Sequence, residues 1–543
     1  MKFKKSLYVL LGAALFTTAC NDINEMRPEG GSQLAEQVQE TNEIVPSMTE
    51  ATFENMFNMM GRAYQTSSSR ADDFAFIMAA ISLDFEGADF MMDDNGYCWF
   101  SICGEYSSRN ASYANPYIRY VIPYRHIGAC NEVIAMYPED TDKQEQIYQI
   151  AQARAMRAFD YLALAPYFQF NIQQAADQPC VPIIRDGVDY GNNPRATVKE
   201  VFDFIMEDLN YAVENLKGFQ RPNKTQIDQQ VAYGLRARAN LIMGNFAEAA
   251  ADADAAMAGY TPAYYAEVSQ PSFCNLNEHN WIWGILTTDD NARNYYYATP
   301  SSWVCAFTGD GYAPATGNTP RINKLLYDKI PASDVRKGWW LDEDKHSPNW
   351  ASLSWSGATG DAIADLVTDD GSKIELEPYT NIKFAQKSGV GNVLNNNDWP
   401  LMRVEEMILV KAEGLAKSGK EAEAKSVLTN FVSKYRDASY SVDAGKRTLA
   451  DEIWFQRRVE LWGEGFFVGD ARRLNKPIVR THGKGTTNWP ANWAFNIPAD
   501  DAYLNMRFPQ REKDTNAGIV DNEGGNQPDP NTPHAELRDG VTD

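Results

Sequence analysis

VKAEGLAKSGKEAEAKSVL, residues 410–428, reads as a helix, a tight turn and a second helix. Gly419 breaks the pattern where a left-handed residue would end the first helix. Ala412 and Ala424 are small residues on either side of it, and small side chains let two antiparallel helices approach closely. An earlier segment, 230–258, repeats the arrangement, with Ala237, Ala249 and Ala256 set around a Gly244-Asn245-Phe246 turn.

Two hairpins with the same spacing match the tetratricopeptide repeat, a helical pair that stacks on its neighbours. Three further segments, 118–136, 145–168 and 198–216, carry apolar residues at three- and four-residue steps. Order begins at Ser47, where Ser47 and Glu50 have capping-box spacing ahead of Phe53, Met56, Phe57 and Met60. The expected fold is mainly α, a scaffold of helical pairs. Gly244 and Gly419 lie 175 residues apart, however, whereas tandem repeats would place them about 34 apart. A large insertion separates the two halves of the scaffold.

Residues 257–399 form that insertion, rich in Pro, Gly, Asn and aromatics. Eight of the thirteen tryptophans fall in it, Trp399 included, although it is only about a quarter of the chain. Tyr295, Tyr296 and Tyr297 are consecutive, and Trp281 and Trp283 flank Ile282 as in a strand with both rings on one face. A second aromatic segment, FMMDDNGYCWF at 90–100, puts a polar turn before Tyr97 and Trp99. Loops held by a rigid scaffold are where binding residues concentrate. A flat aromatic face suits a sugar ring, whose axial C–H groups form an apolar patch, and by analogy with aromatic pairs each contact adds ~0.5–1.5 kcal/mol. Most tryptophans in such an insertion fill core, so only a subset can form a platform.

The N-terminus reads as a lipoprotein signal over residues 1–19: Lys2, Lys4 and Lys5, then LYVLLGAALF, then small residues leading into Cys20. Acylation of Cys20 would anchor the chain to a membrane. Residues 20–46 are polar and read as a flexible tether, 47–513 as a single domain (47–256 and 400–475 scaffold, 257–399 insertion), and 514–543 as a loosely ordered acidic tail. The net charge of −23 argues against nucleic acid and anionic lipid as partners and fits a neutral or cationic ligand. Besides Cys20 there are six irregularly spaced cysteines, of which Cys98 and Cys103 are the one close pair that could bridge. The five histidines have no metal or triad spacing, and no cofactor motif occurs.

QRRVELWGEGFFVGDARRL, residues 456–474, resembles the pattern E-R-R-x-E-L-x-x-E-G-x-R-x-x-D-x-x-R of the SusD-like (RagB/SusD) family. Arg457, Arg458, Glu460, Leu461, Glu464, Gly465, Asp470 and Arg473 match; Gln456 and Phe467 depart from it. The segments WPLMRVEEMILVKAEGLAKSG at 399–419 and FNIPADDAYLN at 495–505 also look like the family's. The motif residues are read as structural, with Arg457–Glu460 and Asp470–Arg473 as helical i,i+3 pairs. The resemblance implies a SusD-like fold and a non-enzymatic, outer-membrane, surface-facing lipoprotein. It also implies a glycan ligand and a TonB-dependent, SusC-like transporter that receives the cargo, with the lipoprotein as its lid. By analogy to the loops where the family binds, Tyr97, Trp99, Trp283, Tyr296 and Trp303 are the expected ligand contacts. An oligopeptide is the alternative cargo. A surface glycoside hydrolase is the competing class, and it would need two carboxylates at a set separation that nothing here marks.

Overall fold

In the computed structural model the described residues are 46–66, 70–94, 99–185, 188–295, 297–315, 318–349, 366–367, 373–374, 376–442 and 447–543. Cys20, its leader and its tether, and also Cys98, lie outside them. The long helices are α1 (Pro46–Asn58), α2 (Ala75–Glu86), α3 (Ala114–Ala135), α4 (Gln144–Phe168), α5 (Val198–Asn215), α6 (Gln229–Met243) and α7 (Phe246–Ala256). After the insertion come α8 (Val404–Lys417), α9 (Glu421–Tyr435), α10 (Leu449–Glu460) and α11 (Phe467–Arg473). Ser47 sits inside α1 rather than at its cap. A capping box does occur on α5, where Thr197 Oγ1 accepts from Glu200 N at 3.2 Å and Glu200 Oε2 accepts from Thr197 N at 2.7 Å.

Helices α3 to α7 pack each against the next, and α7 packs on α8. The two halves separated in sequence are therefore contiguous in space, and the insertion loops out between them. Gly414 makes this contact possible: a Cβ there would lie 2.5 Å from the Phe246 carbonyl oxygen and 3.0 Å from Ala250 Cβ. Gly244 and Gly419 end their helices at φ +86° and +85°, as the hairpin reading requires.

The insertion returns to the scaffold through strand pairs. Strand β2 (Trp281–Ile285) runs antiparallel to β4 (Trp399–Arg403), pairing Trp281 with Arg403 and Ile285 with Trp399 across a bulge. Strand β1 (Phe90–Met91) pairs with β3 (Arg321–Ile322). All five residues of β2 are buried, Trp281 and Trp283 among them. The strand is as expected, but it crosses the core and has no wet face.

The C-terminal segment is not a loose tail. Val541, Asp539 and Thr542 are buried, and Asp539 accepts from Arg458 at 2.6 Å. Its polar groups are consumed internally: Asn522 Nδ2 donates to the carbonyls of Phe168 and Met506, both at 2.8 Å, and Asn516 Nδ2 donates to Asn193 O at 2.8 Å.

Candidate functional site

Four loops converge over one buried indole. Trp303, on the short helix Pro300–Val304, has no exposed surface, and its Nε1 donates to Ala71 O at 2.9 Å. Phe100 meets it edge-on at 4.6 Å, and Tyr312 stacks on it at 4.7 Å. Around this support stand half-buried rings: Trp99, Tyr312, Tyr297, Tyr295 and Tyr64. Tyr297 packs on Tyr312 at 5.6 Å and its hydroxyl donates to Asp310 at 3.0 Å. Tyr64 packs edge-on to Tyr295 at 6.0 Å and donates its hydroxyl to that residue's carbonyl at 2.8 Å.

The loops are held rigidly. Asp73, itself buried, accepts from Thr66 N at 2.7 Å, Thr66 Oγ1 at 2.5 Å and Gln65 N at 3.2 Å, closing the 64–73 loop. Tyr64 sits at φ +57°, a conformation costing on the order of 1 kcal/mol that the surrounding bonds impose. Burial raises its phenol pKa, and the Asp73 charge adds to the rise. Arg70 lies over Trp99 with its guanidinium 4.6 Å from the ring centre, and Asp72 fixes it through bonds of 2.9 and 2.6 Å. Asp72 is buried; burial pushes its carboxyl pKa up against the opposing Arg70 charge. Preformed aromatic faces with ordered polar edges are what binding a flat, hydroxyl-rich ligand requires.

Of the five expected contacts, Trp99 is half-buried on this face. Tyr97 and Tyr296 lie outside the described residues. Trp303 is a correction: it supports the platform from beneath and offers no face to a ligand. Trp283 is a second correction: it is buried between Phe159, at 5.1 Å, and the Thr225 carbonyl, to which its Nε1 donates at 2.9 Å. Tyr64, Arg70, Tyr295, Tyr297 and Tyr312 were not among the expected contacts. The run Tyr295–Tyr297 was a signal, but one tyrosine at a left-handed position and one arginine over an indole have no sequence mark.

The C-terminal motif builds a charge network inside the fold. Glu460 accepts from Arg436 at 2.9 Å through both oxygens, from Arg336 at 3.2 Å and from Arg403 at 3.3 Å. Glu464 takes two bonds of 2.8 Å from Arg403 and one of 2.7 Å from Lys383. Arg457 pairs with Asp470 at 2.8 Å, and not with Glu460 as helical spacing predicted; Asp470 also meets Arg473 at 2.7 Å, the expected i,i+3 pair. Arg458 is clamped by Asp89 at 2.7 Å and Asp539 at 2.6 Å. Burial would raise the Glu460 carboxyl, but the guanidiniums of Arg436, Arg403 and Arg336 hold it well below the usual carboxylate range. Burial lowers Lys383 to about 8 despite Glu464 beside it. These side chains are structural: each is paired, and none of them reaches the aromatic face.

A cleft of about 210 Å³ opens above the motif, lined by Phe76, Leu83, Phe159, Leu241, Val410 and Phe466, with Arg238 and Glu406 paired at its edge at 2.7 Å. Its walls are mainly apolar, a poor match for a hydroxyl-rich ligand. Among the described residues one cluster has metal-ligand composition, His126, Cys130 and Asp160. Both imidazole nitrogens are already engaged at 2.7 Å, by Asp160 and the Met56 carbonyl, so the cluster is a hydrogen-bonded part of the core.

Residues 367–527 match the model of the SusD family. The chain is similar in structure to a SusD-like carbohydrate-binding protein of Bacteroides vulgatus ATCC 8482, at 22% identity and TM-score 0.68, covering 87% of this chain and 97% of that one. It is similar to a SusD superfamily protein of Bacteroides thetaiotaomicron VPI-5482, at 19% identity and TM-score 0.65, covering 88% and 99%. A laminarin-binding SusD-like protein aligns at 16% identity and TM-score 0.60, covering 88% and 99%. No curated protein matches the sequence.

Proposed function

We propose, for a chain that is SusD-like in fold and in its C-terminal family match, a role as a cell-surface lipoprotein that captures glycan and passes it to a TonB-dependent, SusC-like transporter. SusD-like proteins bind without catalysing, and this chain is read as a binder, not an enzyme. One observation carries the glycan reading: half-buried aromatic rings, among them Tyr312 stacked on the buried Trp303 and Trp99 with Arg70 over one face. Rings so held lose little entropy on binding a sugar face. Three or four stacking contacts, each worth ~0.5–1.5 kcal/mol beyond the apolar area it buries, give affinities on the order of micromolar to millimolar. That range suits a protein that must release its cargo. The oligopeptide alternative draws on the same rings.

In this reading acylated Cys20 anchors the domain to the outer leaflet of the outer membrane, and residues 21–46 tether it there as a lid over the transporter. Affinity electrophoresis of the purified chain against a panel of polysaccharides tests the ligand class. Retardation by a neutral glycan, weakened about 2- to 10-fold by Trp99→Ala at unchanged melting temperature, supports it. A blank panel followed by peptide binding would overturn it in favour of the oligopeptide cargo. Release of reducing sugar would overturn the non-catalytic reading.

A further inference from the structure

A groove of about 260 Å³ adjoins the aromatic face, where the 66–70 loop and the start of α3 meet residues 509–511. Among the described residues its lining includes no carboxylate and two arginines, Arg511 and Arg70, the second paired with Asp72 at 2.6 Å. The chain as a whole has 73 acidic residues against 50 basic ones, so this patch runs against the prevailing sign. Arg511 is exposed, yet its guanidinium lies 4.6 Å from the centre of the Tyr117 ring and its Nη1 donates to that phenol at 3.1 Å. Nearby carboxylates are turned to other partners: Glu512 accepts from Asn516 at 2.9 Å, Asp514 from Gln510 at 2.8 Å, and Asp521 from Lys513 at 2.7 Å. Among the described residues no carboxylate pairs with Arg511. Tyr113, 48% exposed, and Ser112 complete the rim.

We propose that this groove takes the anionic group of an acidic sugar residue, a carboxylate or a sulfate, while the adjoining aromatic face stacks on its neighbours. This deepens the glycan-binding reading and rests on it. With one Nη1 hydrogen bond spent on the Tyr117 phenol, the remaining N–H donors of Arg511 offer the planar geometry that a carboxylate or sulfate accepts. Stacking also limits the rotamer freedom lost on binding. The overall charge of −23 does not forbid a polyanion, because exposed charges beyond about 8 Å are largely screened at physiological salt. The field inside the groove is set by Arg511, because Arg70 is already neutralised by Asp72 at 2.6 Å. The global charge that pointed to a neutral or cationic ligand is thus a weaker guide than the local one.

The test uses the full-length chain in detergent with four probes: polygalacturonate, its fully methyl-esterified form, a sulfated galactan and neutral laminarin. The expected result is tighter binding of at least one polyanion than of the esterified or neutral polymers, weakening with added salt. Arg511→Gln should cost that polyanion on the order of 10- to 100-fold in affinity. The same variant should leave neutral-polymer binding and melting temperature unchanged, and Arg511→Lys should recover part of the loss. Preference for polygalacturonate identifies a uronate, and preference for the galactan a sulfate ester. Equal binding of polygalacturonate and its ester with no gain for the galactan would overturn the groove proposal and leave the glycan reading standing. So would polyanion binding unaffected by Arg511→Gln. Failure of all four polymers, with peptide binding instead, would overturn both.

Discussion

Replacing Glu460 by Gln should cost far more than one residue's packing, because four cations and four carboxylates are balanced around it. Arg336, Arg403, Arg436 and Lys383 face Asp334, Glu405, Glu460 and Glu464, with side chains no more than 2% exposed. Glutamine keeps the shape and removes one negative charge, leaving an uncompensated cation in the interior. Breaking a buried pair in this way costs ~3–5 kcal/mol, a large part of the ~5–15 kcal/mol that holds a domain folded. With an unfolding entropy of about 2.1 cal/mol/K per residue over roughly 500 residues, melting should fall by ~3–5 °C. The effect carries an electrostatic signature. Glu460 is held below its ordinary value of 4.5, so its contribution is fully present above that pH and is lost as pH falls through the folded value. The gap between wild type and Glu460→Gln, followed by thermal and urea unfolding, should be constant from about pH 5 to 7, below the range where Lys383 loses its proton, and close in acid. Adding Arg436→Met should recover part of the loss by restoring neutrality. A gap below about 0.5 kcal/mol at neutral pH, or one that persists undiminished to pH 3, would refute the charge-balance argument.

Trp303→Ala should destabilise by ~3–5 kcal/mol in urea unfolding and reduce glycan binding as a consequence, whereas Trp99→Ala should touch binding alone. A Trp303→Ala protein of wild-type stability would remove the support role. Asp539→Ala leaves Arg458 with Asp89 as its remaining carboxylate and frees the amides of Val541 and Thr542, so it should lower stability by about 2–4 kcal/mol and raise proteolysis of the last turns. Cys20→Ala should release the protein from membranes in fractionation with ligand affinity unchanged; weaker binding by the released form would tie the anchor to recognition.

The scaffold was legible because its rules are local. Small residues at Ala237, Ala249, Ala412 and Ala424, with glycines at two helix ends, report close helical packing within a few turns of themselves. The insertion was less legible because burial there is decided by distant partners. Trp303 and Trp99 look alike in sequence, and only the fold shows Trp303 fully buried against Ala71 and Phe100 while Trp99 stays half-buried under Arg70. The polar tail misleads for the same reason: Asn516 and Asn522 read as solvent-seeking until their carbonyl partners, more than 300 positions earlier, are known. Helical spacing likewise suggested Glu460 for Arg457, while the folded chain supplied Asp470 from the next helix.

The Arg458 guanidinium joins Asp89 to Asp539, two positions 450 residues apart. In a chain made from its N-terminus, Asp89 precedes Asp539 by nearly the whole described length. The knot of charge can close only once Asp539 is in place. Until then Arg458 has Asp89 alone as its carboxylate. A chain that stops short of Asp539 keeps Arg458 buried with half its negative partners, so such a fragment opens more readily and is the better substrate for a protease.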